Sequence, residues 1–153
     1  MVWKYENTVT SKYAPEVVWD FLTNYDALDH NSPVFLEENG GQAWPREVTQ
    51  LGGGKVNLKD TAKRFSSELT VDLSDRPNKI PTEGTTSMGP WKGMTTITRT
   101  PEGGTNWQSR IEIAPNRFGA KLIFALFGGK LRKSFQKHER QHFIEMEASM
   151  AAK

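Results

Sequence analysis

The stretch His138-Glu139-Arg140-Gln141-His142 sets two imidazoles one helical turn apart, with a carboxylate between them. On a helix that spacing lets both histidines grip a Zn²⁺ ion while Glu139 acts as general base. A zinc hydrolase also needs a third protein ligand. Eleven residues follow His142, the extended His-x-x-Gly-x-x-His form is absent, and His30, Asp26 or Asp29 would have to reach in from far away. The plainer expectation is a polar stretch on the exposed part of a terminal helix, with no metal and no cofactor. Gly52-Gly53-Gly54-Lys55 is glycine-rich, but a phosphate-cradling loop requires Ser or Thr after the lysine and then a helix. Val56 follows here, so a flexible hairpin is expected. Lys130, Arg132, Lys133, Lys137 and Arg140 give the last segment a basic side. Such a side can meet an anionic membrane or an acidic partner. Glu139, Glu145 and Glu147 interrupt it, and a solvated helix face is the plainer account. Two further polar residues carry possible chemistry. Arg99 shares strand parity with Thr95 and Ile97, so it either faces inward to pair with a carboxylate or enolate oxygen, or sits at a strand end in solvent. His30 has the residue type for acid–base work near neutral pH, or is simply a polar loop residue.

The elements that must position these groups follow from periodicity. Trp3, Tyr5, Asn7 and Val9 alternate with Lys4, Glu6, Thr8 and Thr10, the pattern of a half-buried strand. Pro15 suits the first turn of a helix, expected over Pro15 to Thr23, with Val18, Phe21 and Leu22 on one side. A second short helical turn is expected over Asn24 to Asp29, ended by Ser32-Pro33, and Asn39-Gly40-Gly41 marks a turn. Strands are then expected over Arg46 to Leu51, Phe65 to Leu73, Lys79 to Ser87, Gly93 to Thr100 and Thr105 to Ala114, with residues 55 to 64 ambiguous and Met88-Gly89-Pro90 a turn. Asn116 to Lys153 reads as one long amphipathic helix, with Leu131, Phe135, His142, Met146 and Met150 on one side and Gly128-Gly129 as a weak point or kink. The expected fold is α+β: a curved antiparallel sheet of six or seven strands wrapped around a long C-terminal helix, with two short helices after the first strand. A single domain spans 1–153.

Composition narrows the function classes. Lys and Arg number 20 against 18 Asp and Glu, a formal charge of +2 that gives no argument for nucleic acid. The absence of cysteine excludes disulfides and thiolate chemistry. The longest apolar run, Leu122 to Phe127, is far short of the ~20 residues that span a bilayer. Met1 to Asn7 lacks an apolar signal core, so a cytoplasmic protein with no transmembrane segment is expected.

Three stretches carry a family resemblance. One is Tyr5 to Ser11 followed by Ala14-Pro15-Glu16-Val17-Val18-Trp19-Asp20-Phe21-Leu22 and Tyr25-Asp26; another is the Arg76-Pro77 turn with the Glu102-Gly103-Gly104 hairpin; the third is Phe118-Gly119-Ala120-Lys121-Leu122. In these the chain resembles the START-like, or Bet v 1-like, helix-grip superfamily (SRPBCC), in its polyketide cyclase/dehydrase and lipid-transport branch. The resemblance implies an interior cavity for a small hydrophobic molecule (a lipid, an aromatic or a polyketide-like compound). Phe65, Leu69, Val71, Ile97, Trp107 and Ile111 are expected to point in from the sheet, with Arg99 among them, and Phe118, Leu122 and Leu126 to close it from the helix. A solid core would use the same residues. His30 lies where the family often has an aromatic residue, beside the expected mouth. The resemblance also implies, as alternatives, a cyclase, aromatase or dehydratase using His30 or Arg99, and a protein-interaction module such as a chaperone activator. The zinc hydrolase through His138 and His142 stands as a less favoured reading.

Overall fold

The computed structural model describes residues 1–24, 46–61 and 66–152. Their elements are β1 (Trp3–Ser11), α1 (Pro15–Leu22), β2 (Arg46–Gly52), β3 (Lys55–Thr61), β4 (Ser66–Asp72), β5 (Lys79–Thr86), β6 (Gly89–Arg99), β7 (Thr105–Ile113) and α2 (Phe118–Ala151). The strands form one antiparallel seven-stranded sheet in the order β1-β7-β6-β5-β4-β3-β2. This is the helix-grip arrangement, with α2 laid along the concave face. The expected second helical turn from Asn24, Ser32-Pro33 and the Asn39-Gly40-Gly41 turn lie, apart from Asn24, outside the described residues.

Tight turns explain the meander from β2 to β7. At the β2–β3 hairpin Gly52, Gly53 and Gly54 all take positive φ, a conformation that side-chain-bearing residues rarely adopt. The ambiguous residues after them become β3, because Val56, Leu58 and Asp60 alternate inward. The turn expected at Met88-Gly89-Pro90 falls on Ser87-Met88 and ends two residues sooner. Gly89 already pairs with Thr86, so β6 begins there rather than at Gly93. β1 returns from the start of the chain to pair with β7 over its full length, Trp3 opposite Ile113 and Ser11 opposite Thr105.

The helix presents to the sheet a stripe of Ala120, Phe124, Gly128, Glu139, Phe143 and Met146, with Leu131 and Phe135 partly buried between. α2 stays one helix through Gly128-Gly129. The reason for Gly128 is close approach: its carbonyl accepts from Trp3 Nε1 at 3.2 Å, and a Cβ there would sit 3.1 Å from the same nitrogen. Two apolar clusters result. Trp3, Tyr5, Ile111, Ile113 and Phe124 form one, closed by Trp91 and Phe135. Val18, Trp19, Val71, Ile97, Trp107 and Phe143 centre the other, which α1 caps.

The sheet is closely packed where β4 meets β5. Gly84 lies opposite Leu69 and continues the cross-strand row that runs from Trp3 through Ile113 and Trp91. A Cβ at Gly84 would collide with the Glu68 carbonyl oxygen and sit 2.9 Å from Leu69 Cα, both backbone atoms that cannot turn aside. Gly84→Ala is therefore expected to destabilise the protein by about 1–3 kcal/mol, measured by urea unfolding, whereas Gly53→Ala meets no atom within 4 Å and acts only through its backbone angles.

Candidate functional site: the interior between sheet and helix

Register decides what the concave face offers. One inward cross-strand row reads Asn7, Ser109, Thr95, Ile80; its neighbour reads Tyr5, Ile111, Gly93, Thr82, Val71, Val56. A polar strip of Asn7, Ser109 and Thr95 thus crosses β1, β7 and β6 between the two apolar clusters. Glu139 of α2 faces it. Its Oε2 accepts from Tyr5 Oη at 2.9 Å and from Asn7 Nδ2 at 2.8 Å, and the Ser109 hydroxyl also donates to the carboxylate. Burial pushes the Glu139 carboxyl above its ordinary value, and the three donors only partly offset this. Burial, and then the nearby Glu139 charge, push the Tyr5 phenol up as well.

One turn further, His142 is half-buried. Burial holds its imidazole below the usual histidine value; Glu145 opposes this, while His138 and Arg46 reinforce it. Arg46 itself forms a two-bond pair with Asp60, directly opposite on β3, at 2.7 and 2.9 Å. The far edge of the sheet is therefore also polar inside. Trp107 stacks on Phe143 with centroids 4.6 Å apart, and its buried Nε1 has no hydrogen-bond partner among the described residues.

Val71, Ile97, Trp107 and Ile111 are buried on the concave face, and Leu69 is half-buried there. His30 and Phe65 lie outside the described residues. Arg99 does not face inward. Its parity is right, but it is the last residue of β6, and its guanidinium reaches over the strand end to Glu16 of α1 at 3.1 Å. Phe118, Leu122 and Leu126 are also corrected: they are exposed, because the stripe that meets the sheet runs through Ala120, Phe124 and Gly128, two residues out of phase. The expectation of a solvated His138–His142 stretch fails too, since Glu139 is buried and both histidines are half-buried. Among the described residues no three His, Asp or Glu side chains converge as a metal cage. Sequence reasoning missed Glu139 as an interior group. Its signal was present in the spacing: Gly128, Leu131, Phe135, Glu139, Met146 keeps the helical stripe once the phase is taken from Phe124.

Outside this interior, an open hollow of about 540 Å³ lies on the convex side, lined by Lys55, Asp72, Glu83 and Lys92. Its charged rim and openness make it a solvated depression, unlike the mainly apolar enclosure that small ligands favour.

Residues 2–141 match the family described as polyketide cyclase / dehydrase and lipid transport. No curated protein matches the chain. Among solved structures, an aromatase/cyclase, Zhui, from Streptomyces sp. R1128 is similar at 14% identity and a TM-score of 0.70, covering 96% of this chain and 94% of that one. Ara h 8.0201 is similar at 13% identity and 0.65, covering both chains fully (100% and 100%). The di-domain ARO/CYC BexL of the BE-7585A biosynthetic pathway is similar at 16% identity and 0.66, over 96% of this chain and 49% of that one. At these identities the likeness establishes the fold.

Opposite pH signatures follow from the two interior groups. The raised Glu139 carboxyl contributes stability that is complete below the ordinary glutamate value and is lost as pH rises through its folded value. The lowered His142 imidazole contributes stability present above about 6.5, lost as pH falls through its folded value. Urea unfolding from pH 4.5 to 8.5 should show Glu139→Gln flattening the loss on the alkaline side and His142→Gln the loss on the acid side. Glu139→Leu, which leaves the Tyr5 and Asn7 donors unpaired, should cost about 1–3 kcal/mol where Glu139→Gln costs little.

Proposed function

Because the chain belongs to the polyketide cyclase / dehydrase and lipid transport family, we propose that it binds one small hydrophobic molecule bearing polar oxygens between the concave sheet and α2. A lipid, an aromatic or a polyketide-like compound meets that description. The observation that carries the reading is the buried Trp107 N–H, without an acceptor among the described residues and set beside the Phe143 ring. An orphaned interior donor is costly and is ordinarily matched by a ligand or water acceptor. Around it the walls are apolar, and the Tyr5–Asn7–Ser109–Glu139 group supplies the few placed polar atoms that orient a guest. The chain fits a single domain over 1–153, and its lack of cysteine suits a cytoplasmic setting. No helix among the described residues is long and apolar enough to cross a membrane.

A thermal-shift panel of fatty acids, flavonoid-like aromatics and polyketide analogues tests this. A ligand at a hundredfold its Kd should stabilise the protein by about 2.7 kcal/mol. Trp107→Phe should leave the fold intact and weaken a carbonyl- or hydroxyl-bearing ligand about 3- to 10-fold, the worth of one hydrogen bond. A panel with no stabilising member, together with no co-purifying ligand by native mass spectrometry, removes the reading.

A second reading is catalysis in the same interior, a cyclisation, aromatisation or dehydration. One observation favours it: Glu139 holds its proton more tightly than an ordinary glutamate and is placed inside the enclosure, as a general acid requires. If a poly-β-carbonyl analogue is turned over, Glu139→Gln should lower kcat by about 10²–10⁴-fold. An unchanged kcat would leave binding alone. Arg99, tied to Glu16 in solvent, is not part of this proposal.

A further inference from the structure

The outward side of the first half of α2 is apolar. Phe118, Leu122 and Leu126 are 82%, 48% and 66% exposed, and Ile123 and Phe127 flank them at 42% and 50%. The opposite side of the same turns, Ala120, Phe124 and Gly128, is the one packed on the sheet. Five large apolar side chains open to solvent along three turns are unusual for a soluble surface and mark a contact face. The same outward side then becomes cationic, with Lys130 and Lys133 exposed in the following turns. Between Glu112 and Glu139 the chain contains no Asp or Glu, while it carries Arg117, Lys121, Lys130, Arg132, Lys133 and Lys137. Arg132 of the same helix ties this flank to the sheet: its Nε donates to the Lys4 carbonyl, and its guanidinium lies over the Trp3 ring.

From this juxtaposition we propose that the outer face of α2, from Phe118 to Lys133, docks in plane on an anionic lipid bilayer. The apolar arc enters the boundary between headgroups and acyl chains, and the lysines hold the phosphates beside it. The charge decides among occupants. A second copy of this chain would set Lys130 and Lys133 against like charge, with no Asp or Glu between Phe118 and Lys133 to pair them, so the patch is poorly suited to pairing with itself. A membrane rich in acidic lipid is complementary to both halves of the face at once, the combination used by interfacial amphipathic helices. The inference is independent of what the interior binds.

The test is co-sedimentation of the full chain with large unilamellar vesicles of phosphatidylcholine alone, and of phosphatidylcholine with about 30% phosphatidylglycerol. Binding should be at least about tenfold stronger to the anionic vesicles and fall at least about tenfold between 0.05 and 0.5 M salt, as screening shortens the field. Leu122→Glu/Leu126→Glu and, separately, Lys130→Glu/Lys133→Glu should each lower it at least about tenfold. All four residues are exposed, so circular dichroism and the melting temperature should stay unchanged. No binding, equal binding to neutral vesicles, or wild-type binding by a folded Leu122→Glu/Leu126→Glu variant would overturn the proposal. So would a concentration-dependent dimer that this double variant dissolves, which would assign the face to a second copy instead.

Discussion

A single carboxylate joins the two layers. Glu139 takes hydrogen bonds from Tyr5 and Asn7 of β1, and Ser109 of β7 donates to it as well, so the helix is held to the two strands at the sheet's β1 edge by one group. Apolar contacts are non-directional and would allow α2 to slide or rotate over the sheet. This side chain fixes its register, because displacement by one residue would leave the Tyr5 and Asn7 donors without their acceptor. The Trp3 bond to the Gly128 carbonyl acts at the other end in the same sense. Together they orient α2 so that its chain direction follows that of β1: Trp3 meets Gly128 and Phe124, Tyr5 meets Phe135, and Trp107, beside Val9, meets Phe143.

That constraint also divides the core. A fully apolar interior would condense into one cluster. Here the strip of Asn7, Ser109 and Thr95, with Glu139 above it, separates the Trp3 cluster from the Val18 cluster. The interior therefore offers polar atoms within an apolar enclosure, and their proton affinities are set by burial more than by neighbouring charge. Burial favours the neutral form of each of these groups over its charged form.

Much of the fold was legible because strands betray themselves by parity. Trp3, Tyr5 and Val9, or Trp107, Ile111 and Ile113, alternate cleanly, and short turns leave antiparallel neighbours as the simple solution. Parity says which side a residue takes but not where the covering layer ends, so Arg99 kept its side and lost its burial. Helical phase was harder. α2 is apolar on two sides in its first half, and the sequence alone does not distinguish Phe118, Leu122 and Leu126 from Ala120, Phe124 and Gly128 as the buried set. Bulk pointed to the wrong one. The small residues won because Trp3 needs room at Gly128. Glu139 was hidden for a related reason: charge argues for solvent, and its three donors lie more than a hundred residues away or on the last strand. The match to the metal motif drew attention to this stretch through its histidines, whereas its carboxylate is the structural member.

The pairing of β1 with β7 bears on synthesis by the ribosome. β1 is translated first, yet the strand it must zip to is the last to emerge. At about 5–20 residues per second, the nascent β1 waits several seconds or more with its backbone edge and its Trp3 and Tyr5 rings uncovered. The meander from β2 to β7 can assemble hairpin by hairpin as it emerges, but the first-made strand arrives at the sheet after it. Folding of this chain is thus out of order with its making, and in that interval it depends on whatever shields sticky nascent segments in the cell.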